Sequence, residues 1–297
     1  MENRKVSDGV NLINKDGYNI LSVELSKYHE GIVLATQLCC EGFYLKADPF
    51  IKTPSVHVDL SLLGEIKGLK DLSIGPNIDL SPKQDMSPIY TLSTLTALTI
   101  HAKNTAIHFN YLNNLTSLTI SYSKKISNFN KLSNLKNLWL WHLNTNDLGF
   151  LDGLCRMQKL KITQSQITSL NGLSKCECLR ILHLTRCPKL FDLTEINKLR
   201  KLNGVFIVNS KGISDFSFLK NNSTIEQIGL DKVESLGFIC SMPNLKTIGF
   251  NDLVDGNIAV ALKNNNIERI TFYPDRKHYT HTQSEVEKII AHRELSA

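Results

Sequence analysis

Apolar positions along the chain fall into a short frame, Leu-x-x-Leu-x-Leu, that returns from residue 69 to residue 272 with Ile, Val, Phe or Met substituting. Its copies are Leu69/Leu72/Ile74, Leu95/Leu98/Ile100, Leu115/Leu118/Ile120, Leu135/Leu138/Leu140 and Met157/Leu160/Ile162. They continue as Leu179/Leu182/Leu184, Leu202/Val205/Ile207, Ile225/Ile228/Leu230, Leu245/Ile248/Phe250 and Ile267/Ile270/Phe272. The first positions advance from 69 to 267 in nine steps, a mean of about 22 residues, and the longest step holds Ser81-Pro82 and Ser87-Pro88 in a loop. The last two triplet positions alternate with other residues at period two, which predicts a short strand with those two side chains in the core. A second frame, Ile-x-x-Leu-x-x-Leu, follows each strand, as in Ile126/Phe129/Leu132, Ile167/Leu170/Leu173 and Ile213/Phe216/Leu219. Its three-residue spacing predicts a 3₁₀ or brief helical turn leading into the next strand. One strand and one turn cannot bury an apolar side alone, so consecutive units must stack; a fixed period therefore overrides the usual expectation of one to three globular domains.

The ends of such a stack need different sequences, because a terminal unit would otherwise expose its apolar end. Asn19–Leu25 alternates as a strand, and His29–Cys40 sets Ile32, Val33, Leu34 and Leu38 on a helical face. Phe43-Tyr-Leu45 reads as a degenerate first repeat strand. Asp59-Leu-Ser-Leu-Leu63 supports it, matching Asp147-Leu-Gly-Phe-Leu151 and Asp215-Phe-Ser-Phe-Leu219 inside clear repeats, across a loop that holds Pro49 and Pro54. Near the other end, Ser284 and Glu287 have capping-box spacing, and Val286, Ile289 and Ile290 form one stripe, which predicts a closing helix. The expected organisation is a strand-helix cap at 1–41, about ten to eleven repeats at 42–273 and a capping helix within 274–297.

The repeats resemble leucine-rich repeats, in particular the 22-residue class of internalins and SDS22-like regulatory subunits, over roughly residues 43–273. The resemblance implies an α/β solenoid: a horseshoe with a parallel concave β-sheet, short 3₁₀, helical or extended convex segments, and N- and C-terminal caps. It implies a protein-binding role without naming a partner; the SDS22-like form would be a regulatory scaffold of an enzyme such as a phosphatase. Repeats of this family place Asn three residues after the strand, where its amide bridges neighbouring turns. Here Ser165, Cys187 and Ser210 stand at that position, so a weak or irregular ladder is expected. Bacterial leucine-rich-repeat ubiquitin ligases are similar in their repeat half only, and with about 24 residues after the last repeat their catalytic activity is not expected.

If the triplets bury their second and third residues, the residues between and after them point outward and stack in columns. One column reads Ser73, Thr99, Thr119, Trp139, Lys161, His183, Phe206, Gly229, Gly249 and Thr271. The next reads Gly75, His101, Ser121, Trp141, Thr163, Thr185, Val208, Asp231, Asn251 and Tyr273. Both tryptophans of the protein fall on one strand, two residues apart. Exposed aromatics beside cations are the composition of an interface hot spot. The expected partner-binding residues are Trp139 and Trp141 as anchors, Lys159, Lys161 and His183 selecting an acidic or polar patch, and Phe206, Thr163, His101 and Tyr273 around them.

Composition narrows the picture only slightly. The chain has 297 residues and a formal charge of +6. Its basic residues are dispersed, whereas nucleic-acid proteins concentrate theirs, so a nucleic-acid partner is the lesser expectation. No apolar run is long enough to cross a membrane, and the N-terminus has no secretory apolar core. Seven cysteines, an odd number without framework spacing, read as reduced thiols and a cytoplasmic location. Nucleotide-binding and nucleophile-elbow motifs are absent. Cys176, Cys178 and Cys187 fit no standard zinc spacing, and His278 with His281 lacks a third ligand, so neither metal nor cofactor is expected. The function expected is non-enzymatic binding of another protein, such as a toxin masked by an antitoxin-like immunity protein.

Overall fold

In every copy of the triplet all three residues are buried, from Leu69 at one end to Phe272 at the other. The computed structural model describes residues 2–15, 17–48, 55–101 and 105–294, so Pro49 and Pro54 lie outside the described residues. These residues form two compact units, Met1–Trp141 and His142–Ala297.

The first unit opens with an antiparallel hairpin, β1 (Glu2–Ser7) and β2 (Val10–Lys15), whose second strand pairs antiparallel with β3 (Tyr18–Glu24). From β3 onward all pairing within this sheet is parallel, through β4 (Gly42–Lys46), β5 (Asp71–Ile74) and β6 (Ala97–Ile100). A two-residue strand, β7 (Ile107–His108), pairs with β9 (Ile126–Ser127) outside that sheet. The sheet continues from β6 to β8 (Ser117–Ser121) and β10 (Asn137–Trp141). Ser73, Thr99, Thr119 and Trp139 are in register, as the outward column requires. The hairpin is not foreseen from the sequence, because only Val10 of β2 is buried and no alternation survives to be read.

Helix α1 (Tyr28–Gln37) covers this end but buries Tyr28, Gly31, Ile32 and Ala35. Val33 and Leu38 of the expected apolar face are exposed. The reason is Gly31, where a Cβ would lie 2.7 Å from Val23 Cγ1; the helix seats its glycine side on β3. Ser87–Tyr90, expected as loop, forms a one-turn helix, α2, with proline in its first turn.

The second unit carries β11 (Lys159–Thr163), β12 (Ile181–Thr185), β13 (Gly204–Val208), β14 (Gln227–Val233), β15 (Thr247–Leu253) and β16 (Arg269–Phe272). All are parallel in chain order, with Lys161, His183, Phe206, Gly229, Gly249 and Thr271 in register. Between them run 3₁₀ segments such as Leu173–Lys175 and Ser217–Leu219, which seat the second apolar frame. Aspartates start several of these turns: Asp192 accepts from Thr194 N at 3.1 Å, Asp215 from Ser217 N at 2.8 Å and Asp255 from Asn257 N at 3.0 Å. The hydroxyl and amide of Thr194 hold the Asp192 carboxyl below its usual range.

From His142 to Val208 the turns are joined by backbone bonds at the strand ends, while asparagine amides bridge neighbouring repeats at another position, Asn114 Nδ2 donating to Ser93 O, Asn134 Nδ2 to Asn113 O and Asn244 Nδ2 to Ser223 O. His142, Gln164, Arg186 and Asn209 each follow a strand and sit at φ 56, 54, 56 and 53°. This left-handed turn aims N–H groups at the next repeat: His142 N donates to Thr163 O at 3.0 Å, Gln164 N to Thr185 O at 2.9 Å and Arg186 N to Val208 O at 3.0 Å. Ser165 Oγ donates to Leu143 O at 3.2 Å, and Cys187 N donates to Ser210 Oγ at 3.1 Å. A left-handed residue with a Cβ is strained by about 1–2 kcal/mol, against which glycine's extra chain entropy sets roughly 0.5–1 kcal/mol. Gln164→Gly is therefore expected to stabilise the protein by about 0.5–1 kcal/mol in urea unfolding, and a loss of stability would contradict this account of the ladder.

The unit closes with helix α3 (Gln283–Glu294), which buries Val286 and Ile290 and half-buries Ile289. Its capping box lies two residues earlier than expected. Thr282 N donates to Glu285 Oε2 at 2.8 Å, and Glu285 N donates to Thr282 Oγ1 at 3.3 Å. Ser284 is inside the first turn, and Glu287 is engaged elsewhere.

Candidate protein-interaction surface

On β10 the alternation places Leu138 and Leu140 in the core and sends Trp139 and Trp141 outward, each half-buried. Their neighbours in register on β8 are Thr119 and Ser121, whose small side chains leave room for indoles. The two rings stack with centroids 5.0 Å apart and planes at 29°. His101 meets Trp141 edge to face at 5.7 Å, and its Nδ1 lies 3.0 Å from the buried Ser121 Oγ. The serine fixes the imidazole and the imidazole braces one indole, giving a stiff aromatic ledge with its outer surface in solvent.

On the second unit, Lys159 is exposed and Lys161 half-buried on the outward side of β11. Thr163 does not belong with them. It is only 6% exposed, at the strand end beside the left-handed turn of Gln164, and offers a partner no surface. His183 and Phe206 stack nearly parallel, 4.4 Å apart with planes at 11°. Phe206 lies flat because its flanks are glycines: a Cβ on Gly229 would come within 2.7 Å of Phe206 Cδ1, and one on Gly204 within 3.2 Å of Cε2. Burial, followed by the charges of Lys161 and Lys159, pushes the His183 imidazole below its ordinary range, so at neutral pH it is a neutral ring rather than a third cation.

Tyr273, just past β16, is 82% exposed. It borders a groove of about 530 Å³ that the column reading passed over, floored by Gly229 and Gly249 and reached by Val208, Asn251, Gln283 and Glu287. Two glycines in register on adjacent strands were the available signal, since a column without side chains is a trough in the sheet surface.

The remaining motifs have structural explanations. His278 Nε2 lies 3.1 Å from Leu253 O, Tyr279 Oη accepts from Leu253 N at 3.0 Å, and Thr280 Oγ1 accepts from Ala259 N at 3.1 Å, so this stretch docks the C-terminal segment on the last repeats. All seven cysteines are free thiols. Burial pushes Cys176 up to about 12 and Cys187 up to about 11, which removes both from nucleophilic chemistry at neutral pH. Among the described residues no cluster of three or more His, Cys, Asp or Glu could hold a metal ion, and no helix is long and apolar enough to cross a membrane.

Parallel strands joined by 3₁₀ turns at a fixed period, with one buried and one outward column set, define the leucine-rich-repeat fold, and this chain has it. Solved structures agree. An internalin (inlF) from Listeria monocytogenes str. 4b F2365 is similar with a TM-score of 0.57 at 19% identity, over 83% of this chain and 76% of that one. A leucine-rich repeat protein of Leptospira interrogans gives 0.53 at 15% identity, over 90% and 74%. TLR13 in its complex with ssRNA13 gives 0.58 at 16% identity, over 84% of this chain but only 43% of TLR13. No protein-family model matches the sequence, and no curated protein matches it.

Proposed function

We infer that this chain is a non-enzymatic binding module that receives another protein on the outward face of its sheet. The observation that carries the reading is the Trp139–Trp141 stack braced by His101: a preformed aromatic surface on a strand, where nothing in the repeat requires tryptophan. A rigid surface binds without the ordering cost that a mobile one incurs, and tryptophan is the residue most enriched among hot spots. On the second unit, taken by itself, Lys159 and Lys161 favour acidic groups and Phe206 and Tyr273 offer apolar contact. Seven free thiols support a reducing compartment, the cytoplasm. The partner class we favour is an enzyme whose active site is covered by the contact, a toxin in the immunity-protein form of this reading.

The test is capture at moderate salt from cells of the source organism, comparing the wild-type chain with the Trp139→Ala/Trp141→Ala variant. The expected result is one specific partner whose affinity falls at least about 30-fold in the variant, as the loss of a hot spot of about 2 kcal/mol requires. Unchanged affinity would move recognition away from β10.

A further inference from the structure

The groove over Gly229 and Gly249 lies wholly in the second unit and differs in chemistry from the lysine end of the same face. Gly229 and Gly249 contribute no side chain to its floor, so backbone forms the lower surface there. One wall is Tyr273, with most of its ring in solvent. The far end is polar and fixed. Gln283 Oε1 accepts from Phe272 N at 2.9 Å while Gln283 Nε2 donates to Ile270 O at 3.0 Å, so this side-chain amide occupies the edge of β16 as a neighbouring strand would. The same Nε2 donates to Glu287 Oε1 at 2.9 Å. That bond aims an exposed carboxylate at the groove from a side chain anchored to the sheet, and among the described residues Glu287 forms no ion pair. A second hollow of about 540 Å³ between β16 and α3 shares Thr271, Gln283 and Glu287 with the first, so the carboxylate stands where the two meet.

A glycine-floored trough, an exposed aromatic face and an unneutralised carboxylate at the end match a long cation: alkyl stem on the glycine floor, charge over Tyr273 and against Glu287. We propose that this groove receives one arginine or lysine side chain of the protein partner. The proposal rests on the protein-binding reading above and adds a polarity to it. Lys161 and Thr271 are five strand intervals apart in register, about 24 Å at roughly 4.8 Å per interval. The partner must therefore present acidic groups toward β11 and a basic one toward α3, which fixes the direction in which it docks on this unit.

The experiment needs no identified partner. Backbone amide spectra of the full chain are recorded while N-acetyl-arginine methylamide is added, with the glutamate analogue as control. The proposal expects saturable shifts at Gly229, Gly249, Thr271 and Tyr273 with the arginine probe alone, at millimolar dissociation constants. Glu287→Gln should weaken that binding at least fivefold, and Gly249→Val should abolish it by filling the floor. Shifts that do not saturate, equal response to the glutamate probe, or unchanged affinity in Glu287→Gln would each overturn it. These results are independent of β10: loss of the groove with intact dependence on Trp139 and Trp141 leaves the protein-binding reading standing.

Discussion

Leu182→Ala is expected to lower the unfolding free energy by about 3–4 kcal/mol. Leu182 is fully buried, in register with Leu160 on one side and Val205 on the other. Truncating a buried leucine costs the lost transfer free energy plus the cavity, about 2.7–5 kcal/mol overall, and the cost grows where neighbours cannot collapse inward. Here collapse is opposed by the hydrogen-bonded strands on both sides. In a stack stabilised by nearest-neighbour interfaces one cavity weakens two of them. Gln227→Ala, on the outward side of β14, should change stability by no more than about 0.5 kcal/mol. Urea unfolding followed by circular dichroism separates the two; comparable losses would mean that the inward and outward assignments are wrong.

Gly256→Ala should be nearly as damaging, through the backbone. Gly256 has φ +65°, and a Cβ there would lie 2.3 Å from His278 O and 3.0 Å from His278 C. No side-chain rotation relieves a clash with a carbonyl, so the C-terminal segment must lift. The lift would break the bond from Thr280 N to Gly256 O, at 2.9 Å, and weaken the neighbouring contacts of His278 and Tyr279 with Leu253. The expected loss is about 3 kcal/mol, the upper part of the range for strain at a special backbone position. Limited proteolysis should then cut between residues 273 and 283 in the variant well before it cuts the wild type. Resistance equal to wild type would show that this segment does not hold the end of the stack.

Much of this architecture was readable in the chain because a period of about 22 residues repeats one physical instruction ten times, and errors in single copies do not accumulate. Features that occur once fared worse. The spacing points to Ser284 for the capping box, whereas Thr282 forms it, because two overlapping acidic spacings, Glu285 and Glu287, fit the same template. The β1–β2 hairpin carries almost no buried alternation. The left-handed turns after β10, β11 and β12 are invisible in the sequence because His142, Gln164 and Arg186 are not residues that announce them.

The candidate surface divides in the same way. Trp139 and Trp141 were found because their column contrasts with its neighbours, and the geometry adds the His101 brace. The column position of Thr163 suggests exposure, yet the residue is buried, because alternation does not reveal how a strand end is covered. The groove was missed because glycines read as the absence of a feature, and because Gln283 and Glu287 reach it from a helix well removed in sequence.

The central claim, that a protein partner is held on the tryptophan ledge, can be tested inside the complex itself. Because the chain has only two tryptophans, labelling with 5-fluorotryptophan gives two fluorine resonances, both on β10. Titration with the captured, unlabelled partner should shift or broaden both resonances in proportion to complex formed. Full complex formation with both resonances unmoved would place recognition elsewhere and contradict the account.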